Sequence, residues 1–311
     1  MKRLAQLTVL LLALAGSAMA GELVLKSFAA STEAPHGKGN LYASAIVRHR
    51  GEFQMFFGGQ GRDGHDRIHL ATSPDGAKWT HQGVVFGVKD ANHVNDPSVV
   101  IVEGRLFMFY TLAMSGISDA IALATSEDGR TWVDQGVVLG PSKAPAWDSL
   151  LVGRPAVIHE QGEFRMWYDG RKDLPLGAPD LTAPQAADSK RFVGYATSKD
   201  GKVWQRREEP VLGNNAGAVD VQRVGKQLVM VIEAREGTRW ASSADGLLWQ
   251  ERGLLLKKEG EREAFGHVTP FLFERNGRWE LYYGAAAATT WDHNAIARSP
   301  LPEEMLRQMT E

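Results

Sequence analysis

The sequence SPDGAKW at Ser73–Trp79 returns three times with small changes, as SEDGRTW at Ser126–Trp132, SKDGKVW at Ser198–Trp204 and SADGLLW at Ser243–Trp249. Each copy follows a strand-like stretch that ends in Ala-Thr or Ala-Ser. The Asp-Gly pair favours a tight turn, because Gly accepts a positive φ and Asp can hydrogen-bond nearby backbone amides. The Trp that follows can pack between sheets. Four copies, separated by roughly 45 to 70 residues, indicate a repeat architecture.

A second repeated element, an aromatic or aliphatic strand after a glycine turn, precedes each motif and occurs once more near the end of the chain. Its five copies are Phe53–Phe57, Leu106–Tyr110, Phe164–Tyr168, Leu228–Ile232 and Trp279–Tyr283. Another strand lies before each turn, and three of these strands carry a proline near the start, where no ladder hydrogen bond is lost. Each repeat therefore reads as four antiparallel strands.

Five such repeats predict an all-β fold, a five-bladed β-propeller with four antiparallel strands per blade. The expected blades are residues 40–86, 93–139, 151–212, 215–256 and 265–299, the last completed by residues 22–28. The fifth repeat ends after its third strand, so the strand at Glu22–Phe28 is expected to close the ring. Residues 21–311 then form a single domain. A β-sandwich is the alternative, and the five matching repeats disfavour it.

The first twenty residues have the pattern of a secretory signal peptide. Lys2 and Arg3 precede a short apolar run, and Ala18 and Ala20 give the small-residue pattern of a cleavage site after Ala20. The run is too short to span a bilayer, so the mature protein is expected to be soluble, in a periplasm or outside the cell. No membrane insertion is expected. The oligomeric state stays open.

The composition of the chain limits the classes of molecule that the protein is expected to bind. The chain has no Cys, so packing and ring closure rather than disulfides must stabilise it. Loss of Lys2 and Arg3 with the signal takes the formal net charge from −2 to −4. With no basic run in the sequence, nucleic acid and anionic membranes are poor partners.

Candidate site residues lie where the first strand of each repeat begins and the second strand ends, because these points meet at the propeller axis. Counted back from each turn glycine, the equivalent strand starts are Ala43, Asp96, Arg154, Gly217 and Thr269. The equivalent strand ends are Gly58, Thr111, Asp169, Glu233 and Gly284. A charged group near a crowded axis needs a partner or a ligand.

The charged members of these two sets are expected to pair across neighbouring blades, as structural ion pairs or as parts of a binding site. Asp96 and Arg154 can pair directly. Asp169 and Glu233 can each be held by the arginine two residues further on, Arg171 or Arg235. A Pro- and Ala-rich insertion at residues 171–191 is expected to form a flap beside the site.

The surrounding loops carry side chains suited to a carbohydrate. Asp66 belongs to a polar, Gly-rich loop, and Trp147 and Trp291 can stack on a sugar ring or simply pack within the protein. His93 and His267 flank strand starts without the spacing of a zinc site. No metal and no cofactor is therefore predicted, and the expected ligand is a glycan.

Asn95-Asp96-Pro97-Ser98-Val99-Val100, followed by a glycine turn and an aromatic strand, resembles the Asp-Pro strand starts of five-bladed propeller glycoside hydrolases, families 43, 32, 68 and 117. The Ser-x-Asp-Gly-x-x-Trp hairpins are similar as well. In that group, three carboxylates at the strand starts act as base or nucleophile, pKa-setting residue and acid. Here only Asp96 matches, because the first and third blades offer Ala43 and Arg154.

Two main functions follow from this resemblance. The first is hydrolysis of a glycosidic bond in an oligo- or polysaccharide, which needs one acid and one further carboxylate. Asp96, Asp169 and Glu233 can supply this pair, with Arg154 and His267 orienting them. Glu233 is expected to be the acid in an apolar setting, with Asp169 as its rival, and Asp96 is expected to stay ionised beside Arg154. The second is glycan binding without catalysis. A propeller that binds only proteins is a weaker third possibility.

Overall fold

The computed structural model describes residues 21–26, 39–114, 119–178, 182–288 and 294–310. Three features predicted from the sequence lie outside these ranges, namely the signal peptide at residues 1–20, the end of the closing strand at residues 27–28, and Trp291. Within the described residues, no helix has the length and apolar character needed to cross a membrane.

Strands dominate the described chain. The first nine are β1 (Glu22–Leu25), β2 (Leu41–His49), β3 (Glu52–Gln60), β4 (Asp66–Ser73), β5 (Thr80–Phe86), β6 (His93–Val102), β7 (Arg105–Ala113), β8 (Ala120–Ser126) and β9 (Val133–Leu139). The next seven are β10 (Leu151–Glu160), β11 (Glu163–Arg171), β12 (Leu174–Pro175), β13 (Gln185–Ala186), β14 (Phe192–Ser198), β15 (Gln205–Arg206) and β16 (Val219–Val224). The last are β17 (Gln227–Ala234), β18 (Gly237–Ser243), β19 (Gln250–Lys257), β20 (Gly266–Arg275), β21 (Arg278–Ala286) and β22 (Ala295–Pro300). A 3-10 turn at Glu261–Glu263 precedes β20, and helix α1 covers Glu303–Thr310.

The strands assemble into antiparallel units of four, which we number in chain order. Unit one is β2–β5, unit two is β6–β9, and unit three is β10, β11, β14 and β15. Unit four is β16–β19, and unit five is β20, β21, β22 and β1. One ladder pair, Ala234 with His267, joins units four and five into a continuous sheet. The insertion in unit three adds the short parallel pair β12 and β13.

Apolar side chains fill the spaces between consecutive units. Separate buried clusters lie between units one and two, two and three, three and four, and four and five. A further cluster lies between unit five and unit one, with Leu41 and Phe57 from one side and Tyr282 and Ile296 from the other. The first strands β2, β6, β10, β16 and β20 also contact one another in this cyclic order. The core therefore consists of sheet-to-sheet contacts arranged around an axis.

The Asp-Gly motifs are structural, as their sequence predicts. In the first copy, Asp75 Oδ1 accepts the N–H groups of Ala77 at 2.8 Å and Lys78 at 3.0 Å, and Ser73 Oγ accepts the N–H of Gly76 at 2.8 Å. These backbone donors, Lys78 first, lower the pKa of Asp75 to about 2. The three other copies repeat this bonding. The motif Trp then packs edge-on against the preceding unit, as Trp132 does on Phe56 at a centroid distance of 5.3 Å.

The strand at Glu22–Leu25 completes unit five, as the sequence predicts. β1 pairs with β22 in antiparallel register, with Glu22 opposite Arg298. The Glu22 carboxylate accepts hydrogen bonds from Arg298 at 2.8 and 3.0 Å. Leu23 packs into the cluster between units four and five. β1 therefore supplies the partner that the outer edge of β22 needs.

Asp220 is a buried carboxyl group that links units four and five and lines the small cavity at the axis. Its Oδ2 accepts the N–H of Leu272 at 3.0 Å, and Gln222 donates to it at 3.2 Å. Burial raises the pKa of Asp220 to about 7. The group is thus protonated in the folded state at a pH where the unfolded chain has already lost the proton.

This difference makes stability depend on pH. Since the folded state of Asp220 binds a proton more tightly than the unfolded state, stability falls as the pH rises from about 4 to about 7, by on the order of 4 kcal/mol. We expect Asp220→Asn, which stays neutral, to remove this contribution and to be more stable than the wild type at pH 8. Chemical denaturation at pH 5 and pH 8 measures the effect. If Asp220→Asn and the wild type show the same difference in stability between pH 5 and pH 8, Asp220 ionises freely in the folded protein.

Candidate functional site

The candidate site is built from one backbone irregularity that recurs in every unit. Ala43, Asp96, Arg154, Ala218 and Thr269 all have a positive φ, between 42° and 55°. In units one, two, three and five the strand register shifts at this point. The left-handed conformation is uncommon for residues other than glycine, and such strain is often found at functional sites. All five residues line one small cavity of about 30 Å³ at the axis.

The structure corrects the predicted equivalent in unit four. Counting back from the turn glycine predicts Gly217, but Ala218 has the left-handed conformation and lines the cavity. Unit four has one residue fewer between this position and its turn glycine, so counting back from Gly225 overshoots by one. Glu233 stays aligned, because its N–H donates to the carbonyl of Ala218.

Three amides at these irregular positions donate to side chains of the preceding unit. The N–H of Arg154 donates to Thr111 Oγ1 at 2.8 Å, and the N–H of Ala43 donates to Thr269 Oγ1 at 2.8 Å. The N–H of Thr269 donates to Glu233 Oε2 at 3.0 Å. These bonds fix neighbouring units relative to one another at the axis and hold Glu233 in place.

Arg154 connects two buried carboxylates. Its Nη1 lies 3.2 Å from Asp169 Oδ2, and its Nε lies 3.9 Å from Asp96 Oδ2. Because one guanidinium contacts both groups, these carboxylate oxygens are at most about 9.5 Å apart, the upper end of the range for paired glycosidase acids. The predicted pairing of Asp96 with Arg154 is therefore present, and Asp169 joins it.

Arg191 is a second arginine that joins two carboxylates, and it was not among the residues predicted from the sequence. Its Nη2 and Nε lie 2.8 and 3.0 Å from Asp169 Oδ2, and its Nη1 lies 3.0 Å from Glu233 Oε1. The expected partners were Arg171 and Arg235. Arg171 instead lies near Asp169 with its pKa lowered by burial, and Arg235 stacks over Phe265. The insertion in unit three thus contributes a guanidinium to the axis.

The two candidate acids have environments opposite to those expected. Glu233 accepts hydrogen bonds on both oxygens, from Arg191 and from the N–H of Thr269, rather than lying in an apolar setting. Asp96 is 5% exposed, and its Oδ1 has no hydrogen-bond partner among the described residues. Burial raises the pKa of Asp96 to about 6, despite the opposing effects of Arg154 and His93. Asp96 therefore keeps its proton to a higher pH than an ordinary carboxyl group, as a proton donor requires.

A polar chain adjoins Asp96 on the side of unit one. Asn95 Nδ2 donates to the hydroxyl of Tyr42 at 2.7 Å, and that hydroxyl donates to Asp66 Oδ2 at 2.6 Å. Burial raises the pKa of Asp66. His93 Nε2 lies 3.2 Å from Asp119 Oδ1. Although burial lowers the pKa of His93, Asp119 and the other nearby carboxylates raise it above its usual value.

A larger cavity of about 440 Å³ opens beside Glu233, between units four and five. Three guanidinium groups line it, those of Arg191, Arg235 and Arg239. Arg235 is exposed, held at 5.3 Å over the ring of Phe265, and has no carboxylate partner among the described residues. The cavity therefore combines three guanidinium groups with two carboxylates, those of Glu233 and Glu236.

Two predicted ligand contacts, His267 and Trp147, make packing contacts within the protein. His267 is 1% exposed and both ring nitrogens are engaged, Nδ1 with Thr238 at 2.9 Å and Nε2 with Glu263 at 3.2 Å. Trp147 stacks on Tyr168 at a centroid distance of 5.8 Å and donates its indole N–H to the carbonyl of Glu208 at 2.9 Å. His267 is therefore enclosed within the protein, whereas Trp147 remains partly exposed.

No group of three metal-binding side chains occurs within the ranges that the structure covers. The described site is therefore a network of carboxylates and guanidinium groups around the axis, with a cavity on one side. Such a network can hold sugar hydroxyls, transfer a proton, and bind an anionic group.

Comparison with solved structures gives close matches over most of the chain. A glycoside hydrolase superposes with a TM-score of 0.70 at 18% identity, covering 90% of this chain and 92% of the other. A family 117 glycoside hydrolase from the marine bacterium Zobellia galactanivorans gives 0.64 at 14% identity, covering 88% and 87%. The resemblance predicted from the sequence is confirmed at the level of the fold. An exo-1,5-α-L-arabinanase from a bovine ruminal metagenomic library gives 0.61 at 16% identity, covering 85% and 93%.

Sequence comparison adds less. No family model matches the chain. Uncharacterized proteins from two strains of Mycobacterium tuberculosis are 30% identical over 138 residues, which is 40% of this chain. The chain spans 44% of the length of these curated relatives.

Proposed function

We propose that this protein is an exported five-bladed β-propeller that hydrolyses a glycosidic bond at the axial carboxylate network. The observation that carries the proposal is Asp96, a buried acid with a pKa of about 6 and an unpartnered oxygen, placed at the axis of a fold shared with glycoside hydrolases. The four-stranded units and the cyclic order of their apolar interfaces support five blades. The signal-like sequence before Gly21 supports export to a periplasm or the cell exterior.

The proposed reaction exchanges the roles expected from the sequence. Asp96 donates its proton to the glycosidic oxygen as the bond from that oxygen to the anomeric carbon breaks. Glu233 accepts a proton from the water that attacks the same carbon. Its side chain is 19% exposed and lines the larger cavity, so it is the more accessible of the remaining axial carboxylates. Arg154 and Arg191 hold Asp169 in a fixed position within the proposed site.

The exposed guanidinium of Arg235 supports a class of substrate, a glycan that carries carboxylate or sulfate groups. Guanidinium groups bind such planar or tetrahedral anions through paired N–H donors. Arg235 is the strongest candidate, because Phe265 fixes its position and its charge has no carboxylate partner in the described chain. Arg191 already binds Asp169 and Glu233, and Arg239 binds Glu251 at 3.1 Å.

We expect Arg235→Gln to weaken binding of an acidic oligosaccharide about tenfold, the loss of one charge-assisted contact. Calorimetric titration with oligogalacturonate and with its methyl ester measures the effect, because the ester removes the charge and keeps the sugar. A sulfated galactan oligosaccharide tests the sulfate alternative. Arg278→Gln is the matched control, since this exposed arginine starts β21 at the opposite end of the unit. Equal affinity for acid and ester would exclude the acidic class.

The function itself is tested by incubating the purified mature protein with aryl glycosides and with plant and bacterial polysaccharides, neutral and acidic, and measuring released reducing ends. Hydrolysis of any substrate that requires Asp96 supports the proposal. Absence of both turnover and binding across the panel would contradict it.

One observation favours the second function, glycan binding without catalysis. Asp169 and Glu233 both accept hydrogen bonds from guanidinium groups, whereas the Arg154 guanidinium lies 3.9 Å from Asp96, so one of the three proposed carboxylates is left without such a bond. Saturable binding of a glycan that the protein never cleaves, unchanged in Glu233→Gln, would establish this alternative.

A further inference from the structure

The backbone nitrogen of Gly21, the first described residue, lies against a buried carboxylate. Gly21 is buried, and its N–H donates to Glu263 Oε1 at 3.0 Å across a sequence separation of 242 residues. Glu263 is 2% exposed. The start of the closing strand and the turn before β20 are therefore joined by one contact inside the protein.

Glu263 has many hydrogen-bond donors, but no Lys or Arg of the described chain is paired with it. Tyr283 donates its hydroxyl to Oε1 at 2.7 Å, and the N–H of Glu259 donates to Oε2 at 2.8 Å. His267 contacts Oε2 at 3.2 Å. Although burial raises the pKa of Glu263, these donors lower it to about 2, so the carboxylate is charged.

His267 does not need to supply the missing positive charge. A neutral ring that donates from Nε2 to Glu263 can accept the hydroxyl hydrogen of Thr238 at Nδ1, where the distance is 2.9 Å. Both nitrogens are then satisfied without a second ring proton. A buried carboxylate that is surrounded only by neutral donors lacks the charge partner that buried ions usually have.

The residue at position 21 must also be small. A Cβ atom added to Gly21 would lie 2.1 Å from the hydroxyl oxygen of Tyr283 and 3.0 Å from the carbonyl oxygen of Arg298. Only glycine brings its nitrogen this close to Glu263 without moving Tyr283. In the sequence, this glycine directly follows the predicted cleavage pattern that ends at Ala20.

We propose that the mature chain begins at Gly21 and that its α-ammonium group is the charge partner of Glu263. Hydrolysis of the Ala20–Gly21 peptide bond by a signal peptidase consumes one water and leaves a carboxylate on Ala20 and an amine on Gly21. That amine is mainly protonated at neutral pH. The amide of the precursor offers one neutral N–H to Glu263, whereas the ammonium offers three donors and a full positive charge.

The consequence is that export processing completes the fold. β1 follows Gly21 directly and fills the edge of unit five, so the ion pair anchors the first residue of the closing strand. The precursor has the same strand without the compensating charge. The mature protein is therefore the more stable form, and the cleavage position sets this stability.

The test compares two chains that differ at one residue. The first starts at Gly21 and is released from a fusion by a protease that leaves no extra residue; the second retains Ala20. We expect the first to melt at least about 3 °C higher at pH 7. Glu263→Gln introduced into both chains should remove most of this difference, because the ammonium then has no carboxylate to neutralise.

A second measurement applies if Glu263→Gln fails to fold. The α-amine of the folded mature protein should react with an acetylating reagent at least about tenfold more slowly than in the unfolded chain, as followed by mass spectrometry of the N-terminal peptide. Equal melting temperatures with and without Ala20 would overturn the proposal. So would rapid acetylation of Gly21 in the folded protein, or an exported protein whose mass places its first residue elsewhere. None of these outcomes depends on the proposed hydrolase activity.

Discussion

Asp96→Asn is expected to lower the rate of glycan hydrolysis by about 10²- to 10⁴-fold while leaving glycan affinity and the fold intact. The amide has the size of the acid and cannot donate a proton to the leaving oxygen in the same way. In the wild type, the rate should fall as the pH rises above about 6, because Asp96 then loses the proton that the reaction needs. Rates of reducing-end release between pH 4 and pH 9 measure both effects.

The leaving group distinguishes an acid from a base at position 96. A dinitrophenyl glycoside departs as a stable anion and needs little protonation, so Asp96→Asn should lose much less activity on it than on a natural glycan. Glu233→Gln should lose activity on both, because the attacking water still requires a base. If Asp96→Asn affects both substrates equally and Glu233→Gln spares the dinitrophenyl glycoside, the roles are those first expected from the sequence.

Arg154→Met is expected to lower the free energy of unfolding by about 2–3 kcal/mol at pH 8. The change leaves Asp96 without its guanidinium, and Asp169 keeps its ion pair with Arg191. The effect is moderate because Arg154 keeps 36% of its side chain exposed, whereas both carboxylates are buried. Chemical denaturation monitored by tryptophan fluorescence measures it.

Asp96 determines whether the stability of the Arg154→Met variant rises or falls with pH. Burial already places the folded-state pKa above the ordinary value, and loss of Arg154 raises it further. The variant should therefore regain stability as the pH falls from 8 towards 4, because Asp96 becomes protonated in the folded protein before it does so in the unfolded chain. Arg223→Met is the matched control, since Arg223 forms an exposed pair with Glu160 and its loss should cost less than about 1 kcal/mol. Equal losses at pH 5 and pH 8 would show that Arg154 acts through packing rather than charge.

Local chemistry explains what the sequence predicts well. The Asp-Gly turns are determined by residues adjacent in the chain, and Asp75 and Ser73 form the bonds that this chemistry requires. The closing strand follows from a count of strands in the last repeat, and β1 occupies the predicted edge. The axial position of Asp96 and Arg154 follows from the regular spacing between strand start and turn glycine.

The partners of these residues were harder to predict, because they come from distant points of the chain. Arg191 is 22 residues from Asp169 and 42 from Glu233, at the end of an insertion with no counterpart in the other repeats. The alternation of side chains along β17 could not show that Glu233 contacts this arginine. The contacts of His267 and Trp147 with Glu263 and Tyr168 could not be predicted for the same reason.

The most direct test of the central claim is a crystal structure of Asp96→Asn with an oligosaccharide that the wild type cleaves. The proposal predicts that the sugar spans the axial cavity and the cavity beside Glu233, with the glycosidic oxygen within about 3.2 Å of the side chain at position 96. A sugar bound at the Asp-Gly turns on the opposite face, or bound beside Glu233 with no contact to position 96, would contradict it.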